Sequence, residues 1–486
     1  MMETRFNSNH SRIHYENFSC HTVHSSFKRT ESLNSSNTNP PLQKEEGLNR
    51  TVGVWGLSAN IVNLTVGGGI FILPAIVAAG LGSASIAAYL FCGFLIALVM
   101  LCFTEVGSKV TDSGGAYTYI ESAFGRYAGF LAANLFIVSA LTAGAAIANA
   151  IFEILASFIP VMGSGWARIT FLLVLFGGLA WINVIGMKSG MRVIVFSTMA
   201  KLIPLLLLVL IGWKDVTGSN LIWESLPSVK SVGEMSLILF FAFFGAETAL
   251  SIGGEVKNPK KTIPKAIFIG VSGILILYML IQTVSLGVMG DSLADFQANP
   301  LAEVGSRIFG PAGLTFITLG AAVSMIGLVS GIITNLPRVI FAGARDGVIP
   351  PAILARVHPK YITPHIAIIL YSSVSFLLAS VGEIKALMIA SSGAMLLVYL
   401  GVALSVVRLR KLQPDVPGSF TLPGGYLVPA ATSLVILWFL SHLSGPEAIG
   451  MAVLVAVLTA VFFGMRWSRV LAADQPVIVP EHKPIK

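Results

Sequence analysis

Charge is what this chain has least of. Only 11% of its 486 residues are Asp, Glu, Lys or Arg, against about 25% in an ordinary soluble domain. With 55% hydrophobic residues and a mean hydropathy of +0.82, that deficit excludes a water-soluble globule and leaves a polytopic membrane protein. Cysteine is scarce as well. Cys20, Cys92 and Cys102 are odd in number and lack metal-ligand spacing, which excludes a disulfide framework and a cysteine metal centre. The net charge of +8 does not point to nucleic acid, because the cations follow membrane topology, as described next. No apolar run follows the early charges, so residues 1–50 lack the pattern of a secretory signal. They are polar, rich in Ser, Asn and His, and contain Pro40-Pro41, which predicts a disordered cytosolic tail. His10 and His14 have i,i+4 spacing there, but without helical periodicity around them no metal site is read.

Apolar sequence is what the chain has in abundance. Twelve spans stand out, at about 52–79, 83–108, 127–158, 168–187, 191–213, 235–256, 264–289, 313–343, 364–381, 384–407, 427–444 and 447–466. A helix crossing the ~30 Å hydrocarbon core needs roughly 20 such residues. With the N-terminus placed inside, the inner segments hold 25 of the 31 Lys and Arg residues, the outer segments five, and Lys201 lies within a span. That asymmetry follows the positive-inside rule and predicts both termini in the cytosol, with the protein multi-pass in the cell (inner or plasma) membrane. The domains expected are a tail at 1–50, a ten-helix core at 51–410, two additional helices at 411–466, and a cytosolic C-terminal tail at 467–486.

The first span is interrupted. Val66-Gly67-Gly68-Gly69-Ile70-Phe71 sits midway along it, and each interior glycine costs a helix about 1 kcal/mol relative to alanine. A break exposes N–H and C=O groups that lipid cannot satisfy, so it should line a cavity. The sixth span is interrupted too, at Phe244-Gly245-Ala246-Glu247, and the third and eighth spans are both unusually long. Matching features five spans apart predict a five-plus-five inverted repeat with discontinuous helices 1 and 6. The repeat rests on span character, since the halves share no evident residue identity.

Free N–H groups around Gly69, Ile70 and Phe71 would favour an anion, and free carbonyls around Phe240, Phe241 and Phe244 a cation. Together they suit an α-amino acid or another small zwitterion. The alternative for the glycines is close helix packing. Glu247 lies in an apolar run, where a carboxylate costs at least ~2.5 kcal/mol on insertion scales. It reads as a proton carrier or gate, or as a carboxyl hydrogen-bonded to unwound backbone. Lys201, the only basic residue deep in a span, is a fixed core cation or a snorkelling one. Asn63, Thr65, Ser324 and Ser330 are candidate polar neighbours.

Four motifs in order resemble the amino acid–polyamine–organocation (APC) superfamily of permeases, across roughly residues 52–410. They are Gly67-Gly68-Gly69-Ile70-Phe71; Glu105 followed by Ser113-Gly114-Gly115-Ala116-Tyr117-Thr118-Tyr119; Phe244-Gly245-Ala246-Glu247-Thr248 with Glu255-Val256-Lys257-Asn258-Pro259 and Ile263-Pro264; and Ala344-Arg345-Asp346-Gly347 with Pro350. The chain departs from the usual pattern at Thr111-Asp112, where Pro is common, and at Asn63, where a small residue is common. The resemblance implies twelve helices and substrate held by backbone at Val66, Gly67, Gly68, Gly69 and Ile70 and by Phe241, Phe244 and Gly245. It further implies that Lys201 stands where relatives bind sodium; with the reading of Glu247 from its apolar surroundings, Lys201 and Glu247 are the residues expected to serve proton coupling or gating. The expected function is amino acid/proton symport by alternating access. The alternatives are amino acid/amine or amino acid/amino acid antiport, or polyamine or organic cation transport. Partners are then an amino acid, protons and the bilayer, with no nucleic acid. No enzyme chemistry, cofactor or metal is expected.

Overall fold

A computed structural model describes residues 52–110, 115–156, 159, 165–185, 201–223, 226–250, 256–345, 349, 351–361, 363–412, 420–422 and 424–473. The expectations for residues 1–50, for residues 474–486 of the C-terminal tail, and for Ser113-Gly114, Glu255, Asp346-Gly347 and Pro350 lie outside the described residues; residues 467–473, expected as the start of that tail, continue the last helix.

The first apolar span forms two helices, α1 (Val54–Thr65) and α2 (Gly68–Leu81), and a tight turn leads to α3 (Ser85–Lys109). A short α4 (Ala116–Phe124) precedes α5 (Arg126–Ala156) and α6 (Gly165–Ile185), and residues 201–212 form α7. The sixth span is split into α8 (Val229–Leu239), a 3-10 turn at Phe240–Phe243, and α9 (Ala246–Ala249). Then come α10 (Pro259–Met289), α11 (Pro300–Phe309), α12 (Pro311–Arg345), α13 (His365–Val381), α14 (Ile384–Leu412), α15 (Leu427–Leu440) and α16 (Gly445–Ala473). No strand forms among the described residues. A single parallel bridge joins Val52 to Val256, with the Lys257 N–H donating to the Val52 carbonyl at 2.9 Å.

Helix ends follow local chemistry. Ser228 caps α8 by accepting from the Ser231 N–H at 3.0 Å, and α10 starts with Pro259 at its first position, where a missing N–H costs nothing. The long third and eighth spans are the 31-residue α5 and the 35-residue α12. α10 also reaches 31 residues, because it begins at Pro259 rather than near 264. Among the described residues, eight helical stretches are long and apolar enough to cross a membrane, one of them running through α2 and α3 together; α13 and α15 are shorter apolar helices. Side chains such as Leu173, Val174, Leu210, Phe268, Leu377 and Leu434 are exposed. An apolar exterior of that extent belongs in lipid.

α14 runs against α5, α10 against α3, and α1 against α10. These helices bury the two broken spans at the centre. Glu105, the first residue of the second motif, is in the last turns of α3. Its carboxylate is buried and takes two short bonds from Arg410 of α14, Nε to Oε1 at 2.7 Å and Nη2 to Oε2 at 2.6 Å, with a third from the Leu422 N–H at 2.9 Å.

Candidate functional site

The break in the first span is narrower than three glycines suggest. α1 ends at Thr65 and α2 begins at Gly68, with Val66 and Gly67 extended between them. Gly67 has φ −136°, which any residue adopts, so space rather than backbone angle selects glycine. A Cβ on Gly67 would stand 2.3 Å from Leu328 Cδ2, one on Gly68 3.3 Å from Ile147, and one on Gly69 2.9 Å from the Ala242 Cα. Both sequence readings therefore hold at different positions. Gly67 belongs to the break, while Gly69 lies inside α2 and admits the backbone of the sixth span. The first unpaired N–H groups of α2 accordingly fall on Gly68, Gly69 and Ile70, one residue earlier than expected.

The sixth-span break lies at Phe244-Gly245. Ala246 and Glu247 already belong to α9. Gly245 has φ +118°, and a Cβ there would stand 2.3 Å from the Leu64 carbonyl oxygen. Here conformation and space both require glycine. The two breaks thus touch, Gly245 resting on the Leu64–Thr65 peptide.

A tyrosine joins them. The Tyr278 hydroxyl of α10 lies 3.0 Å from the Thr65 carbonyl and 2.9 Å from the Ala242 carbonyl, one from each broken span. On the sixth span, the Phe244 N–H reaches the Phe241 carbonyl only at 3.5 Å.

Glu247 is 4% exposed. Both carboxylate oxygens lie 3.1 Å from the Gly245 N–H, and Oε2 accepts the Tyr399 hydroxyl at 2.7 Å. It caps α9 and fixes the break. Lys201, at the start of described α7, is 3% exposed and its Nζ donates to the Asn63 carbonyl of α1. That bond holds the ammonium inside the protein rather than at an interface. Among the described residues no ion pair includes either side chain. The hydroxyls of Thr65, Ser324 and Ser330 are buried with no partner among the described residues.

A cavity of about 770 Å³, open mouth included, lies where the breaks meet. Gly67, Gly68, Gly69, Phe241, Phe244, Gly245 and Glu247 line it, together with Phe136, Ser139, Ile147, Leu328, Asn335 and Met395. Val66 and Ile70 are fully buried but are not among its lining residues, and neither is Lys201. Sequence reasoning missed Tyr278 and Tyr399. Each is the lone tyrosine of an apolar span, and a buried hydroxyl must find a partner, which is the signal that points to them. The contributions of α5, α12 and α14 to the cavity carry no local signal.

A cavity deep among membrane helices, lined by interrupted backbone, is the build of a solute transporter. The chain belongs to the amino acid permease family, which it matches over residues 52–464. It is 29% identical over 390 residues to the serine/threonine exchanger of Bacillus subtilis, spanning 78% of this chain and 88% of that one. It is 25% identical to the branched-chain amino acid permease of the same bacterium (86% and 93% of the two chains). It is 27% identical to the human large neutral amino acids transporter small subunit 2 (88% and 81%). These relatives are transporters, not enzymes.

Proposed function

We propose that this chain is a secondary active transporter of neutral amino acids, working by alternating access in the cell membrane. The observation that carries the reading is the meeting of two broken helices in one cavity, with Gly245 seated on the Leu64 carbonyl. The carboxylate of the substrate binds the N–H groups at Gly68, Gly69 and Ile70, where the positive end of α2 favours an anion. Its ammonium binds carbonyls at the sixth-span break near Phe241, Phe244 and Gly245. Val66 and Ile70 contribute backbone only. The side chain extends toward Phe136, Ile147, Leu328 and Met395, an apolar wall in which Glu247 is the one charged group among the described lining residues. The names of the branched-chain and large neutral amino acid relatives support a neutral substrate.

The architecture is twelve helices: ten in a five-plus-five inverted repeat at 51–410 and two additional helices at 411–466, flanked by cytosolic tails at 1–50 and 467–486. Counting α2 and α3 as separate spans, adding α13 and α15, and taking α7 as part of a fifth brings the eight long stretches to twelve. The Lys and Arg asymmetry supports the orientation.

Transport is coupled to protons through Lys201 and Glu247, both buried beside a break. Purified protein in proteoliposomes is expected to accumulate labelled neutral amino acids when the outside is made acidic, and Lys201→Ala is expected to abolish that accumulation. Full proton-driven uptake by the variant removes the coupling role, and silence for every amino acid and amine removes the reading as a whole. The serine/threonine exchanger among the relatives favours a second reading, obligatory exchange. Uptake that ignores the pH gradient and requires internal amino acid selects it.

A further inference from the structure

Behind the cavity, α3 and α10 face each other through two polar stripes. Ser85, Tyr89 and Cys92 follow one another at i, i+4 and i+7 on α3, and Tyr278, Gln282 and Ser285 repeat that spacing on α10. All six side chains are fully buried, as is Ser236 of α8 beside them. Gln282 crosses the gap, its Nε2 donating to Ser85 Oγ at 2.9 Å with the Pro74 carbonyl of α2 at 3.5 Å. Cys92 Sγ donates to the Ser236 carbonyl at 3.3 Å. Four polar atoms in this seam still have no partner among the described residues: Tyr89 Oη, Ser236 Oγ, Gln282 Oε1 and Ser285 Oγ. One orphan is tolerable, but four in one seam are not, since each forfeits its hydration without a replacement. Lipid offers no partner either.

We infer that this seam binds a row of water molecules, and that the row is a hydration path from one face of the protein to the two helix breaks. Its far end meets a polar pocket lined by Gly82, Ser83, Ser219, Asn220, Gly290 and Asp291. Ser83 lies two residues before Ser85, and Gly290 five residues beyond Ser285, just past the end of α10. Its near end is Tyr278, whose hydroxyl reaches Thr65 and Ala242. Water bonded to Tyr89 and Gln282 would satisfy the orphaned atoms, since a buried water typically makes about three hydrogen bonds. The row is separate from the substrate cavity, none of whose lining residues belongs to these stripes.

Radiolytic hydroxyl-radical footprinting of the intact protein in nanodiscs, with H₂¹⁸O as the probe, tests this. Radicals form at bound water and mark the side chains beside it. Tyr89 and Cys92 are expected to take up label at least fivefold faster than Phe176, an equally buried residue on α6. Ser285→Ala and, separately, Gln282→Met are expected to lower the Tyr89 rate at least threefold. Label at Tyr89 and Cys92 no higher than at Phe176 in the unaltered protein overturns the inference, whether or not the variants fold. Unchanged Tyr89 labelling in both folded variants overturns it as well.

Discussion

At the scale of single residues, glycines with the same sequence signature do different work, and mutation separates them. Gly67→Ala drives a Cβ against a side-chain tip, whereas Gly69→Ala drives one against the Ala242 backbone. Both are expected to cut uptake into proteoliposomes at least tenfold. Leu328→Ala should restore much of the activity of Gly67→Ala and none of that of Gly69→Ala. Equal rescue would show that the Ala242 backbone is no obstacle. Gly245→Ala combines a clash with the Leu64 oxygen and a left-handed backbone costing roughly 1–2 kcal/mol. Loss of folded protein is expected, read as yield on size exclusion. Tyr278→Phe removes the one hydroxyl donor that two buried carbonyls share, at about 1–3 kcal/mol, and should lower the thermal unfolding midpoint in detergent. The glycine run was legible in the sequence as an interruption. Which glycine interrupts and which makes room was not, because that depends on Leu328 and Ala242, which lie far away along the chain.

Helices were legible wherever apolar residues ran long enough to cross lipid, as in α5 and α12. The two elements sequence reading passed over, α4 and α11, are short and amphipathic, and α11 buries one face through Leu301, Val304 and Ile308. Hydropathy averaged over a membrane-length window dilutes such a pattern. Contacts between elements were less legible still. Glu105 signalled a motif, yet nothing local tied it to Arg410, 305 residues away. That pair joins α3 to α14 and, through the Leu422 N–H, secures the segment before α15. Removing one partner of a buried pair typically costs about 3–5 kcal/mol. Arg410→Met is expected to destabilise the protein strongly, and adding Glu105→Gln to recover a substantial part of the loss. The readout is a double-mutant cycle on thermal stability, and simple additivity of the two effects would break the proposed link.

For the molecule as a whole, composition alone was decisive about the membrane, and the distribution of Lys and Arg proposes an orientation within it. The orientation yields a labelling prediction. A membrane-impermeant amine reagent applied to intact cells should modify the exposed Lys214 and Lys230 but not Lys257 and Lys261, which are equally exposed in the folded protein. Labelling of the second pair would invert the topology. The paired breaks have a mechanical consequence. Gly69 ties α2 to the 3-10 turn that ends α8, and Gly245 ties the end of α1 to the start of α9. Each contact joins half-helices on the same side of the breaks, so the two broken spans form a pair of jaws rather than four loose segments. Under the alternating access proposed above, opening either jaw would move both of its half-helices together. The Tyr278 hydroxyl has a single proton between the Thr65 carbonyl of one jaw and the Ala242 carbonyl of the other. It sits on the axle, able to hold either jaw when the other swings away.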